Sequence, residues 1–334
     1  MSVSNTSVNW RPDPAAIAQH LKPVLDELEA LRRHALVKRG NARTAASLTF
    51  ALGTLITFAL FTVRNENAFL SLIIFAASAL IALLVHHLVK GDAIPRYLHQ
   101  FKSIAFHHAT RLVAPGIEYS PYSMVPIDSF EQGALFNSRI DRYHGEDCFH
   151  GKAGQTNILL SELHVQRKDT SRDSDGKTQT TWVTVFQGIY LIADFHKHFN
   201  GHVRIEPDVA EATFGWLGRK LQGFSGDLVR LENPDFERAF KVRASDPVEA
   251  RYLLTPDMQE RFLELRNRWS PEIRAALTGS TLHLAIPNRQ NWFEPDINSP
   301  ASHTPQLNDF LQQLVLLLHI TEQLDLNTRI WTKN

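Results

Sequence analysis

The sequence predicts a membrane-anchored α+β protein: a two-helix transmembrane hairpin with a helical stalk, and a cytosolic domain of antiparallel or mixed β-sheet with flanking helices. Three observations predict it. Two long uncharged stretches, Ala45–Val63 and Phe69–Val89, lie five residues apart; apolar stripes at helical spacing flank them; and beyond residue 114 strand-like runs are interleaved with proline-marked helix starts.

Composition sets the outer bounds. At 334 residues the chain exceeds one typical domain, so a soluble module with a smaller attachment is expected. Its 35 basic and 35 acidic residues balance, with no long run of one sign, so a nucleic-acid partner is not expected. The single cysteine, Cys148, forms no internal disulfide, in keeping with a reducing compartment. The opening MSVSNTSVNWRPDP lacks the basic-then-apolar pattern of a cleaved signal.

Ala45–Val63 holds no ionisable side chain, and a helix of that length at 1.5 Å per residue nearly matches the bilayer hydrocarbon of about 30 Å. In Phe69–Val89 only His86 and His87 ionise, close to the end where the rings reach the headgroups. A soluble bundle would have to enclose both helices on all sides, which a chain of this size does not favour. Arg64–Ala68 allows only a tight antiparallel turn, so both ends leave on one side. Arg32, Arg33, Lys38, Arg39 and Arg43 precede the first span and Lys90, Arg96 and Lys102 follow the second, against Arg64 alone in the turn. Both termini are therefore expected in the cytoplasm. Neither span carries a carboxylate, lysine or arginine, which argues against a transporter or pump.

Four segments follow: 1–44, a cytosolic amphipathic helical segment; 45–89, the hairpin; 90–114, a juxtamembrane stalk helix; and 115–334, the cytosolic α+β domain. In the first, Ile17, Leu21, Val24, Leu28, Leu31 and Ala35 draw one apolar stripe, begun by Asp13 as cap and Pro14 and bent or restarted at Pro23. In the third, Ile94, Leu98, Phe101, Ala105, His108 and Leu112 repeat the spacing, so the two segments are expected to pair as an antiparallel, coiled-coil-like stalk. Asp26, Glu27 and Glu29 make the first stripe a poor lipid-surface helix.

In the last segment, helix starts are expected at Asp128 with Glu131, Asp246-Pro247 with Glu249, Thr255-Pro256, Ser270-Pro271 and Thr304-Pro305. Strand-like runs cover 156–166, 182–195, 202–205, 227–232, 239–245 and 281–287. The run from Trp182 is apolar at both parities and should be a central strand. Asp169–Thr180 reads as a hairpin loop; its DSDG lacks the remaining calcium-loop ligands. Leu307, Phe310, Leu314, Leu317, Thr321 and Leu324 form a helix stripe expected to dock on the sheet.

The runs GEDCFHGKAGQTNILLSELHV, FQGIYLIADFHKHFNGHVRIEPD and LVRLENPDFERAFKVRASDPVEARYLLTPDMQERFLEL, after a membrane hairpin, resemble the bacterial membrane proteins catalogued as domain of unknown function 3137. The resemblance runs from about the hairpin onward, and FERAF.V.ASD..EARYLLTP is its specific part. It implies a multi-pass protein of the bacterial inner membrane with a cytosolic domain, and it carries over no site residues.

The chemistry best suggested by the residues is in DFHKHFNGH. Along an extended segment Asp194, His196 and His198 share a face, and two imidazoles with a carboxylate suit zinc, iron or manganese; His202 would close the set after the Asn200-Gly201 turn. A solvated strand end explains the same residues without a metal, so no cofactor is expected beyond that transition-metal candidate. Cys148 with His150 does not by itself orient a nucleophile, and a lone cysteine is commonly a small buried group. Glu146 and Asp147 point to opposite strand faces and read as a charged turn entry. The glycines of 215–226 have no nucleotide-binding spacing. Trp182, Trp216, Trp269 and Trp292 read as core or rim.

Three functions fit. The favoured one is a membrane-tethered binding or scaffold module, its partners the bilayer and a protein or lipid headgroup at the cytosolic face, with no assigned catalytic residue. The alternatives are a membrane-anchored metal-dependent enzyme using Asp194, His196 and His198, and a structural protein forming homo-oligomers through the stalk helices.

Overall fold

The computed structural model describes residues 14–64, 68–172, 178–194, 201–208, 226–302 and 304–323. They divide into a helical unit, Asp13–Phe106 with Glu294–Asn308, and a sheet unit, His107–Phe293 with the described residues from Asp309.

In the helical unit, α1 (Pro14–His20) gives way to α2 (Lys22–Arg64), which restarts so that Pro23 falls in a first turn, where its missing N–H is not needed. The 43 residues of α2 extend roughly 65 Å. Leu21, between the two helices, and Leu25, Leu28 and Ala35 in the lower turns of α2 are buried. Beside that stripe, Arg32 Nε and Nη2 donate to the Glu29 carboxylate at 2.8 and 2.9 Å. Arg32 Nη1 reaches the Ile297 carbonyl at 3.1 Å, and the Ala301 amide donates to Glu29 at 2.8 Å, so Glu294–Asn308 is stitched to α2. The Arg32 guanidinium is the main reason the Glu29 carboxyl is held down to about 2.

α3 (Ala68–Lys90) returns along α2 through small residues. Ala42, Ser78 and Ala82 are buried, and a Cβ on Gly53 would strike Ser78. Small side chains at the contact let the two helix backbones approach closely. The hydroxyls of Thr49, Thr57 and Thr62 donate to the carbonyl four residues back at 2.8–2.9 Å, which satisfies them without water. Gly53→Leu is expected to weaken this pairing by about 1–3 kcal/mol, as overpacking does. Gly40→Leu should leave it unchanged, because nothing lies within 4 Å of that Cβ position; thermal unfolding in neutral detergent compares the two.

α4 (Ala93–Gln100) runs into a π-helical turn, Phe101–Phe106, and then α5 (His107–Val113). The predicted stripe fails after Ala105: Ala109 and Thr110 are buried, whereas His108 and Leu112 are exposed. A π-helical turn takes more residues per revolution than an α-turn, so it advances the buried face by one position.

The sheet unit has nine strands, every neighbouring pair antiparallel, in the order β1-β2-β3-β4-β9-β8-β5-β7-β6. They are β1 (Ile117–Ser120), β2 (Arg142–Ala153), β3 (Thr156–Arg172), β4 (Thr178–Asp194), β5 (His202–Pro207), β6 (Asp227–Val229), β7 (Phe240–Ala244), β8 (Arg274–Thr278) and β9 (Thr281–Pro287). As the double-parity apolar run requires, β4 is interior, with Ile189, Tyr190 and Leu191 all buried. The segment read as a hairpin loop is largely strand: β3 and β4 stay paired out to Arg172 and Thr178.

The two faces of the sheet are separately covered. On one, Val125, Phe130 of α6 (Ile127–Gln132) and Leu135 pack with Leu163, Val165, Phe186 and Tyr190. On the other, Phe236 of α7 (Pro234–Ala239) and Phe262 of α9 (Pro256–Arg268) lie against Phe240, with ring centroids 5.0 and 6.4 Å away. Between them in sequence is α8 (Pro247–Leu253), and Phe310 of α10 (Thr304–Gln323) meets the rings of Phe149, Tyr119 and Phe293 on the same face, as the terminal stripe predicts.

Side-chain caps account for several starts. Asp246 accepts from the amides of Val248 and Glu249, Thr255 from Met258, and Asn233 from Asp235 and Phe236. Asp128 does not cap: α6 begins at Ile127, after Pro126. Ser270-Pro271 starts no helix. Ser270 Oγ accepts from the Glu272 amide in a turn that leads directly into β8.

Candidate functional site

On the α10 face of the sheet, strand register assembles a polar patch from residues far apart in sequence. His144 of β2 stands opposite His164 of β3, and Glu146 opposite Glu162. Residues directly opposite in an antiparallel pair share a face, as do residues two apart, so all four project together. On β4, Gln187 lies opposite His164 and Ile189 opposite Glu162. The chain leaving β9 closes the row, its Asn288 amide donating to the Gln187 carbonyl at 2.9 Å. These groups, with Gln290 and Asn291, line a cleft of about 280 Å³.

Glycines shape its floor. A side chain at Gly145 would collide with the Glu162 carbonyl and Met124, and Gly188, at φ +146°, has no space for one against the Ile286 carbonyl. Glu162 is 8% exposed, and its carboxylate accepts from the Trp292 amide at 2.8 Å. Trp292 is itself stacked on Trp269 at 4.8 Å. His164 Nε2 lies 3.2 Å from Thr184 Oγ1. Among the described residues no lysine or arginine lines the cleft, so its two carboxylates favour a cationic or donor-rich ligand and oppose a phosphate.

Beside Glu146 the β2–β3 register slips, and Asp147 sits in the bulge at φ +56°. This corrects the reading of Glu146-Asp147 as a charged turn entry. Asp147 is fully buried and accepts a hydrogen bond from the Tyr119 hydroxyl, while its own amide donates to Pro121 at 3.0 Å. Burial first, then the charge of Asp147, pushes the Tyr119 hydroxyl far above its ordinary pKa. Next in the chain, Cys148 is buried and its thiol is raised to about 11 by that burial, the state of an unreactive structural cysteine.

Residues 184–326 match the family described as Protein of unknown function (DUF3137). The matched segment begins within β4 and contributes Gln187, Gly188, Asn288, Gln290 and Asn291, whereas His144, Glu146, Glu162 and His164 precede it. No curated protein matches the chain. Among solved structures, the crystal structure of the mycobacterial trehalose monomycolate transport factor A, TtfA, is similar at 10% identity and a TM-score of 0.33, covering 64% of this chain and 94% of that one.

Within the matched segment, the metal candidates are placed only in part. Asp194 accepts from Asn157 Nδ2 at 2.5 Å, and His202 Nδ1 lies 2.9 Å from Thr278 Oγ1. The row Asp194–Thr281–Thr278–His202 crosses four strands, so these two side chains are separated by three strand spacings, roughly 14 Å. One ion does not bridge them. His196 and His198 lie outside the described residues, as do Trp216 and residues 215–225 of the glycine-rich stretch. The cleft itself was not foreseen. Its signal is the pair of mirrored spacings, His144-Gly145-Glu146 and Glu162-Leu163-His164, which acquires meaning only once register sets them face to face.

Proposed function

We propose that this chain is a two-pass protein of the bacterial inner membrane, both termini cytoplasmic, whose sheet unit is a tethered binding module with the cleft as its ligand site. The observation that supports tethering is the direction of the apolar side chains. Leu48, Leu52, Leu55 and Phe58 of α2 and Phe69, Leu72, Leu80 and Leu83 of α3 are each 60–74% exposed. None of the eighteen most hydropathic consecutive residues of α2 is buried, and only 11% of those of α3. A core helix of a soluble protein would be enclosed; an apolar surface of this extent is stable against lipid. Tethering then raises the effective concentration of the cleft toward ligands and partners at the bilayer.

The topology is tested by cysteine labelling, which the buried Cys148 leaves silent. In intact cells Glu66→Cys is expected to react with a membrane-impermeant maleimide and Glu118→Cys only after permeabilisation. The opposite pattern overturns the orientation, and release of the chain by alkaline carbonate overturns the anchor. For the cleft, titration of the detergent-solubilised chain with Mn²⁺ and with spermidine is expected to give binding heat that Glu162→Gln abolishes; no heat with either removes the cleft from this reading.

A further inference from the structure

We propose that the base of the helix pair is a binding site for anionic phospholipid headgroups, formed by Lys38, Arg39 and Arg43 of α2, Lys90 of α3 and Arg96 of α4. The inference rests on the membrane reading and adds to it a lipid selectivity that the apolar helices alone do not possess.

Position comes first. The uncharged stretches begin at Ala45 and end at Val89, so Arg43 lies two residues before the hydrocarbon boundary and Lys90 one residue after it. At 1.5 Å per residue, Arg39 and Lys38 stand about 9 and 10 Å below that boundary, in reach of the headgroup layer and within one Debye length of it. Helix α2 contains no carboxylate after Glu29 and α3 contains none; among the described residues the acidic groups near this level are Asp92, in the turn before α4, and Asp296, which accepts from the Asn298 that Arg39 reaches.

Pairing supplies the second observation. Among the described residues, Lys38, Arg43, Lys90 and Arg96 make no ion pair and no side-chain hydrogen bond, and Arg39 reaches only the neutral Asn298 carboxamide at 3.5 Å. Two turns further from the boundary the same helix behaves differently: Arg32 and Arg33 are both bonded to Glu29 at 2.8–2.9 Å. Compensation thus stops where α2 approaches the lipid-length apolar surface, and Arg43 is exposed there. The counter-charge matching a cationic collar continuous with that surface is the phosphate of an anionic lipid, each cation being worth about a fivefold change in partition. Guanidinium groups add bidentate geometry toward phosphate oxygens.

The test uses the full chain reconstituted in phosphatidylcholine vesicles containing spin-labelled phosphatidylglycerol or spin-labelled phosphatidylcholine, with the motionally restricted lipid measured by paramagnetic resonance. Phosphatidylglycerol is expected to be favoured at least fivefold, a preference lost in Arg43→Gln/Lys90→Gln and kept in Arg33→Gln. Equal association of the two lipids with wild type overturns the headgroup site while leaving the membrane reading intact. Absence of any restricted lipid overturns both. Displacement of phosphatidylglycerol by 10 mM inorganic phosphate would identify a free anion as the ligand and also overturn the lipid assignment, as would competition by a short RNA duplex.

Discussion

Replacing Gly188 with alanine is expected to cost more than about 3 kcal/mol and to leave little folded sheet unit, because two independent penalties coincide. Gly188 stands at φ +146°, which an L-residue with a Cβ does not adopt without strain, and the added carbon meets the Ile286 carbonyl and the Asn288 amide of the neighbouring segment. Relief would need β9 to move from β4 at the centre of the sheet. Gly279→Ala is the matched control. It has φ +59° in the β8–β9 turn but nothing within 4 Å of the new carbon, so only the backbone penalty of about 1–2 kcal/mol applies. Urea unfolding of the detergent-solubilised chain, followed by circular dichroism, compares the two. Equal midpoints for both variants would mean that the β4–β9 contact yields easily.

The second large effect is a loss of stability in mild acid governed by His283. This side chain is 4% exposed, with Nδ1 3.2 Å from the Tyr190 hydroxyl, and burial lowers its pKa from 6.5 to about 4. The folded state therefore disfavours the proton that the unfolded chain accepts at about 6.5. Its contribution is intact above pH 6.5 and is lost as pH falls toward 4, by about 3 kcal/mol in all. Glu29 acts in a lower window, since its stabilisation is present above 4.5 and fades as pH falls to about 2. His283→Gln is expected to flatten the urea midpoint between pH 6.5 and 4 and leave the lower window unchanged. A slope that survives the substitution would assign the acid sensitivity to other groups.

What the sequence made legible follows the range of the forces involved. The two apolar stretches, the Pro23 restart, the Asp246 and Thr255 caps and the α10 stripe are local patterns, and each appears in the structure where the residues place it. The stalk stripe was lost after Ala105 because a π-helical turn changes helical phase without any residue that announces it. Arg274–Thr278, the strand β8, sits beside Ser270-Pro271, where a turn and a helix cap present the same residues. β1 and β2 were missed as well, the latter because histidine, glycine and acidic residues interrupt its strand pattern. The cleft was least legible of all. It depends on β2 facing β3 and on a loop after β9 arriving beside β4, and both are relations of register that no local spacing encodes.

The strand order has a consequence for how the chain is made. β4 ends at Asp194 and its next partner in the sheet is β9, whose Thr281 pairs with that same residue, so the hydrogen-bonding edge of β4 stays open while the chain between them is synthesised. β5, β6 and β7 emerge earlier than β8, through which they join the sheet. Completion of the sheet therefore waits on Arg274–Pro287, a non-local closure that slows folding and leaves an unpaired edge exposed in the interval. With the apolar helices preceding every strand, an early attachment to the bilayer would hold nascent chains apart during that wait and limit edge-to-edge pairing between them.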